Sequence, residues 1–239
     1  MDTVKFNKRN TKVIAHRGLS GIELENTCSA FVAAGNRSYY GIETDVHKTL
    51  DGKYVVIHDN NTKRVSNVDV SVWENTCETL QSIVLNDVDG TNVRNDLRIP
   101  LLEDYIKICH KYDKVSVLEL KYNFEKEDLE NIIKIIEDAG HLDKTIFISF
   151  ILSNLVLLRE ILPNQAAQYL TGEITDEIVE TLVKYNLGLD VYYTRLNPDT
   201  VKLLKDKGVV INCYTCDKPE HGEKLAEYGI EYITSNILE

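Results

Sequence analysis

No apolar run in the chain approaches the length of a bilayer span, so the sequence offers no transmembrane helix. Residues 1–12 are polar and lack the apolar core of a secretory leader. A basic tract is also missing: 27 Lys and Arg face 38 Asp and Glu, for a formal net charge of −11. Such a chain repels nucleic acid and anionic membrane surfaces, so neither is an expected partner. A phosphate-bearing substrate would need local positive charge to overcome that field. The five cysteines are odd in number and scattered through expected helices, strands and one loop, which excludes a stapled disulfide framework. A reducing cytoplasm is the simplest setting. Internal repeats are absent.

What is present has the balance of a soluble globular protein: 239 residues, 43% apolar and 27% charged. That length suits one large α/β barrel or two small domains. Short β-branched runs alternate with helical patterns. Strands are expected at 13–15, 40–46, 54–57, 115–121, 145–150, 167–170, 189–192, 209–214 and 230–234. Helices are expected at 25–37, 101–112, 126–139, 153–162, 175–185, 198–207 and 219–228. Leu129, Ile132, Ile133 and Ile136 recur at helical spacing before Gly140. Asn26-Thr27, Ser153 and Thr175 stand where helix caps belong, and Pro198 opens a first turn.

Alternation of strand and helix implies parallel pairing with right-handed crossovers. Nine strands are one too many for a barrel of eight. Only seven residues separate Val46 from Tyr54, too few for a helical crossover, and they include Asp51-Gly52, a strong hairpin turn. Residues 54–57 are therefore expected to run antiparallel, back from the turn, returning His58 to about the height of Asp45. The other eight strands then make a (β/α)8 TIM barrel with a β-hairpin extension after its second strand. Residues 59–98, about 40 in all, hold the only tryptophan, Trp73, and little apolar periodicity. A long insert over the C-terminal face of a barrel is typically a lid or substrate loop. No second core is visible in it, and 1–239 reads as a single domain.

The C-terminal ends of barrel strands are the place to look for chemistry. Here they read His16-Arg17-Gly18, Glu43-Thr44-Asp45, His58-Asp59 and Glu119-Leu120-Lys121. Glu43 and Asp45, two apart on a strand, share a face, and so do Glu119 and Lys121. Three inward carboxylates with one lysine leave excess negative charge, which a hard divalent cation such as Mg2+ or Ca2+ resolves. Either pair alone also fits a solvated face of charges. His16 and His58 bracket that site as a general base and a general acid would; singly, each also fits a structural role. His47, His110, His141 and His221 lack such company. Arg17 presents a planar fork for phosphate oxygens, or an ordinary salt bridge. Cys213-x-x-Cys216 lies at a strand end, away from any helix start that would acidify a thiol, which speaks against redox chemistry.

Taken together these residues resemble the glycerophosphodiester phosphodiesterase family. The likeness runs from His16-Arg17-Gly18 through Leu24-Glu25-Asn26-Thr27, Glu43-Thr44-Asp45-Val46, Asp51-Gly52 and His58-Asp59 to Glu119 and Lys121, and more weakly to the end. It implies a (β/α)8 barrel that hydrolyses small glycerophosphodiesters to glycerol 3-phosphate and an alcohol. Carried over, His16 and His58 would be the acid/base pair, with His58 as acid. Arg17 and Lys121 would bind the phosphate. Glu43, Asp45 and Glu119 would hold one divalent cation, Mg2+, Ca2+ or Mn2+; Glu25 is not assigned as a ligand. The attacking oxygen would be water or the neighbouring glycerol hydroxyl, the latter giving a cyclic phosphate.

The chain departs from the family's pattern at Leu24, where proline is usual, and at Tyr214, where tryptophan is usual. Its last strand reads Thr234-Ser235-Asn236-Ile237 in place of Thr-Asp-x-Pro. No carried-over residue is lost. Three competing readings remain. A phospholipase-D-like lyase acting on lysophospholipids would use the same residues with an apolar channel. A Schiff-base lyase would use Lys121, which the nearby carboxylates should keep protonated. A non-catalytic phosphodiester-binding protein would be expected to have lost a histidine or a ligand.

Overall fold

β-branched runs extend and helical stripes coil as their spacing dictates, and the computed structural model, which describes residues 2–239, closes them into a barrel. The first unit is β1 (Lys12–Ala15), α1 (Cys28–Gly35) and β2 (Gly41–Lys48), followed at once by β3 (Tyr54–Val56). A long excursion carries the short α2 (Cys77–Ser82). Then come α3 (Leu102–Lys111), β4 (Val115–Leu120), α4 (Lys126–Asp138), β5 (Thr145–Ser149) and α5 (Leu152–Ile161). The chain finishes with β6 (Ala167–Thr171), α6 (Asp176–Lys184), β7 (Gly188–Tyr192), α7 (Pro198–Asp206), β8 (Ile211–Tyr214), α8 (Pro219–Tyr228) and β9 (Tyr232–Ser235).

Parallel pairing runs β1-β9-β8-β7-β6-β5-β4-β2, and β1 pairs with β2 to close the ring. The extra strand, β3, pairs antiparallel with β2, Val46 opposite Val56 and Lys48 opposite Tyr54. The reversal is local chemistry: Thr49 Oγ1 donates to Asp51 Oδ1 at 2.6 Å, and Gly52 takes a left-handed φ of 73°. This is the (β/α)8 barrel with a hairpin that the strand count requires.

Side chains alternate across the barrel wall. Val13, Ala15, Leu118, Leu120, Leu189 and Val191 point outward and pack against helix residues such as Phe31, Ile106, Leu129 and Ile132. Ile14, Val117, Ile146, Ile148 and Leu170 fill the interior. Each such side chain, fully buried, contributes roughly 1.5–3 kcal/mol. The helix ends follow their caps: Thr27 accepts from Ala30 N, Thr175 from Ile178 N, and Asn197 from Asp199 N and Thr200 N. Ser153 does not cap α5. The helix starts one residue earlier, because Ser149 Oγ accepts from Ile151 N at 3.1 Å and turns the chain there; Ser153 Oγ donates to Asn123 Oδ1 instead. Among the described residues no helix is long and apolar enough to cross a membrane.

The insert at 59–98 does have a core. Val65, Val72, Cys77, Leu80, Ile83, Leu85 and Leu97 bury together with Val55, Ile57 and Ile99 of its flanks. Turns and a six-residue helix bring these side chains together, so no period in the sequence announces them. The insert packs on the C-terminal side of the barrel. Arg94 Nη1 pairs with Glu23 at 2.7 Å in the loop after β1, and Trp73 lies 6.3 Å from Tyr122 in the loop after β4.

Candidate active site

β1 ends in a sharp turn: Arg17 and Gly18 both take left-handed φ values, 55° and 77°. A Cβ on Gly18 would meet the Ala30 backbone at 2.7 Å, so glycine is required there. The turn points the Arg17 N–H at Glu43 Oε2, 2.8 Å away, and leaves His16 at the barrel mouth. Glu43 and Asp45 project from β2. The β2–β4 register sets Asp45 beside Glu119. Glu43, Asp45 and Glu119 are all buried, and each offers an oxygen within 4.8 Å of the others.

Two cations press on this cluster. Lys121 Nζ is 3.0 Å from Glu119 Oε1 and 3.5 Å from Asp45 Oδ1, and Arg17 Nε is 3.5 Å from Asp45 Oδ2. Burial pushes Glu43 well above the usual carboxylate range and Glu119 up to about 8, with the neighbouring Asp45 charge adding to both. Asp45 goes the other way, to about 2: burial opposes its charge, but Lys121 and Arg17 outweigh burial. Asp45 Oδ1 is nevertheless buried without a hydrogen-bond partner. A buried oxygen that lacks a hydrogen bond, with only the Lys121 ammonium near it, among three convergent carboxylates fits a hard divalent cation.

The hairpin delivers His58. Ile57 N donates to Asp45 O at 3.1 Å, so His58 stands at the height of the carboxylates, as the turn geometry predicts. Its Nδ1 lies 2.7 Å from Asp59 Oδ1, while His16 Nδ1 lies 2.7 Å from Asn236 Oδ1. One imidazole thus leans on an anion and the other on a neutral amide. Burial, with the Arg17 charge, lowers His16 to about 4; burial also lowers His58, but Asp45 and Asp59 oppose that shift.

Both histidines line a cavity of about 300 Å3 together with Arg17, Glu43 and Glu119. Its charged wall comes from β1 to β4. The opposite wall comes from β5 onward: Ile148, Phe150, Leu170, Tyr192 and Tyr214, with Asp190 below Tyr192 on β7. Phe150 and Tyr192 both pack against Tyr214, with ring centroids 6.1 and 6.2 Å from it. No insert residue is among the side chains lining this cavity. The insert instead reaches the site's neighbours: its Arg64 binds Glu25 and Asp59.

All seven residues singled out in the sequence converge here. Three others escaped notice. Asn26, expected as a cap, is buried with a left-handed φ of 53°; its amide donates to Asp45 Oδ2 at 2.8 Å and its carbonyl accepts from Thr44 Oγ1 at 2.7 Å. The cap itself is Thr27. Asn236 and Arg64 are the other two; Asn236 lies in the Thr234–Ile237 stretch set against the family's pattern but takes no role from it, and Arg64 carries no signal beyond its side-chain type. Of the other histidines, His47 is buried with Nε2 3.2 Å from His58 O, and His110 and His141 meet edge to face outside the barrel. Cys213 and Cys216 are buried, and burial raises both thiols, Cys216 to about 11, which leaves them unreactive.

A parallel barrel with buried carboxylates, two imidazoles and two cations at its C-terminal mouth defines a class: a barrel enzyme built to handle an anionic substrate. The sequence profile of the Glycerophosphoryl diester phosphodiesterase family matches residues 16–238, and the chain belongs to that family of phosphoric diester hydrolases. It is similar to a glycerophosphodiester phosphodiesterase of Caldanaerobacter subterraneus, 28% identical over 230 residues that cover 95% of this chain and 94% of the relative. Among solved structures, a glycerophosphodiester phosphodiesterase from Parabacteroides distasonis superposes with a TM-score of 0.80 at 28% identity, covering 95% of this chain and 93% of that one. An Oleispira antarctica phosphodiesterase in complex with its product sn-glycerol-3-phosphate shares the fold at TM-score 0.88 and 24% identity, over 98% and 96% of the two chains.

Proposed function

We propose that this chain hydrolyses glycerophosphodiesters to glycerol 3-phosphate and an alcohol, with a divalent cation held by Glu43, Asp45 and Glu119 and with His16 and His58 as base and acid. The observation that supports the reading is the buried Asp45 Oδ1, without a hydrogen bond and with Lys121 Nζ no nearer than 3.5 Å, among three carboxylate side chains flanked by both imidazoles and both cations. When bound, the cation supplies Lewis acidity toward the phosphoryl oxygens.

The side chains divide the remaining work. Arg17 and Lys121 hold the phosphodiester's negative charge, which otherwise repels a nucleophile. His16, supported by a neutral amide and held low by burial and by Arg17, is neutral near pH 7 and takes the proton of the attacking oxygen. Burial leaves His58 below the ordinary imidazole value, but the Asp59 carboxylate opposes that shift and supports the imidazolium that gives its proton to the departing alkoxide. The P–O bond to the alcohol breaks as the bond to the attacking oxygen forms. Asn26 keeps Asp45 Oδ2 aimed by holding it at 2.8 Å.

The test is an assay of glycerol 3-phosphate released from a panel of glycerophosphodiesters, with and without chelator. Release that stops with chelator and returns with Mg2+, Mn2+ or Ca2+ is the expected result; full activity after chelation and dialysis would defeat the proposed metal role. The exposed aromatics Phe150 and Tyr192, 48% and 44% accessible, favour one second reading, a lysophospholipid substrate with its acyl chain along that wall. Lysophosphatidylcholine in the same panel decides it.

A further inference from the structure

A carboxylate stands behind His16, one residue removed. Asp217, in the loop between β8 and α8, accepts from Ser235 Oγ and from Asn236 N, both at 2.8 Å, and from Asn236 Nδ2 at 2.7 Å. An ionised carboxylate only accepts hydrogen bonds, so the Asn236 amide nitrogen must face Asp217 and the amide oxygen must face away from it. That oxygen is the atom 2.7 Å from His16 Nδ1; Ser20 Oγ stands beside it, 2.7 Å from the oxygen and 2.8 Å from the His16 carbonyl. An amide oxygen cannot donate, so the proton between Nδ1 and Oδ1 belongs to Nδ1. Nothing comparable claims Nε2. Its nearest carboxylate oxygen, Glu43 Oε2, is 4.0 Å away, beyond hydrogen-bond range, and His16 lines the cavity.

We infer that Asp217, acting through Asn236, fixes His16 in the Nδ1–H tautomer and leaves the Nε2 lone pair facing the cavity, which makes Asn236 and Asp217 positioning residues for the base. The chain of constraint runs carboxylate, amide, imidazole, and each link has one allowed direction. The opposite tautomer carries its proton on Nε2 and has no lone pair there to receive another. The consequence for catalysis rests on the proposed role of His16 as base; the tautomer itself does not.

The test is 15N NMR of the histidine-labelled full-length protein at about pH 8, above the ordinary imidazole value, so that His16 is neutral. His16 is assigned by comparison with His16→Gln, and spectra are recorded with and without Mg2+. The expected wild-type spectrum shows a protonated Nδ1 and an unprotonated Nε2. Asn236→Leu removes the acceptor, so a mixture of tautomers or the Nε2–H form should appear, with kcat on a glycerophosphodiester falling on the order of tenfold or more and KM little changed. The double variant Asn236→Asp with Asp217→Asn exchanges the two groups: a carboxylate then accepts from Nδ1–H and an amide donates to that carboxylate. It should keep the wild-type tautomer and most of the kcat lost in Asn236→Leu. An Nε2–H wild type overturns the inference. So does an Asn236→Leu protein that loses activity with its tautomer unchanged, or one that changes tautomer with activity intact. A wild type with the inferred tautomer but inert toward every glycerophosphodiester would instead overturn the functional reading alone.

Discussion

Arg64 grips Glu25 with both terminal nitrogens, Nη1 and Nη2 each 2.8 Å from one of the two carboxylate oxygens. Its Nε donates to Asp59 Oδ2 at 2.7 Å. Glu25 accepts from Arg17 Nη1 at 2.9 Å, and Asp59 holds His58 Nδ1. A single guanidinium from the insert therefore supports the partners of both Arg17, the proposed phosphate-binding group, and His58, the proposed acid. Arg64→Ala should lower kcat/KM on the order of tenfold through misplacement of Arg17 and His58. Arg64→Lys should recover only part, since an ammonium cannot reproduce the two-pronged contact. The melting temperature should move little, because the Arg64 side chain is 46% accessible and such pairs contribute at most about 1 kcal/mol. Kinetics that match wild type would show the insert to be a spacer.

The two histidines should separate by leaving group. An aliphatic alkoxide needs a proton to depart; a nitrophenolate hardly does. His58→Ala should lose on the order of a hundredfold or more on a glycerophosphoalcohol and far less on a nitrophenyl phosphodiester. His16→Ala should be impaired on both, provided chemistry limits the rate. If His16→Ala is the variant rescued by the better leaving group, the two roles exchange.

Metal-free protein should become less stable as pH rises from about 6.5 to about 8. Glu119 is held at about 8 against an ordinary 4.5, and Glu43 is also raised, by burial first and the Asp45 charge second. A carboxyl whose folded value exceeds its unfolded value binds more protons when folded. Its stabilisation is complete below the ordinary value and drains away as pH climbs through the folded one. His16 and His58, both lowered from 6.5, act in the opposite sense, but only below that value. Calorimetry with chelator should show the melting temperature falling across the window. Mg2+ should raise it most at the upper end, and Glu119→Gln should flatten the slope. At this chain size each kcal/mol moves the midpoint by about 2–4 °C. A metal-free midpoint that stays flat across the window would mean that these carboxyls hold no excess protons.

Asn26 should prove structurally expensive to replace. Asn26→Leu leaves Asp45 Oδ2 and the Thr44 hydroxyl without their buried partner and forces a side chain to hold a φ of 53°. A loss of about 1–3 kcal/mol is expected for the hydrogen bonds alone. Asn26→Gly removes the same bonds and relieves the backbone, so the difference between the two variants measures the strain. Chemical denaturation resolves both, and equal losses would assign the whole effect to the hydrogen bonds.

Much of this architecture was legible in the chain itself. The Asp51-Gly52 turn, set against a seven-residue gap, is enough to require the antiparallel run of β3 and the height of His58. Period-2 spacing put Glu43 with Asp45 and Glu119 with Lys121. The asparagines were opaque for a physical reason. Asn26 precedes a helix and Asn236 follows a strand, where asparagine commonly serves a turn; what each binds depends on the element that folds opposite. The insert's core was hidden in the same way, because side chains from turns converge without a period. Asp217 was further removed still, since its link to His16 spans two loops.

The cavity's two walls come from different stretches of chain: His16 to Lys121 supply every group proposed to touch metal, phosphate or a transferred proton, and Ile148 to Thr234 supply the apolar and aromatic face, with Asp217 and Asn236 behind His16. Bond cleavage and choice of alcohol can therefore vary separately. A chimera joining this protein's β1–β4 to the β5–β9 half of a relative, with Asp217 and Asn236 retained, should keep the proposed metal site and chemistry while inheriting the donor's appetite for head groups. The same split lets the loops after β5 to β7 be diversified in a library, while the loop after β8, which carries Asp217, has to stay as it is.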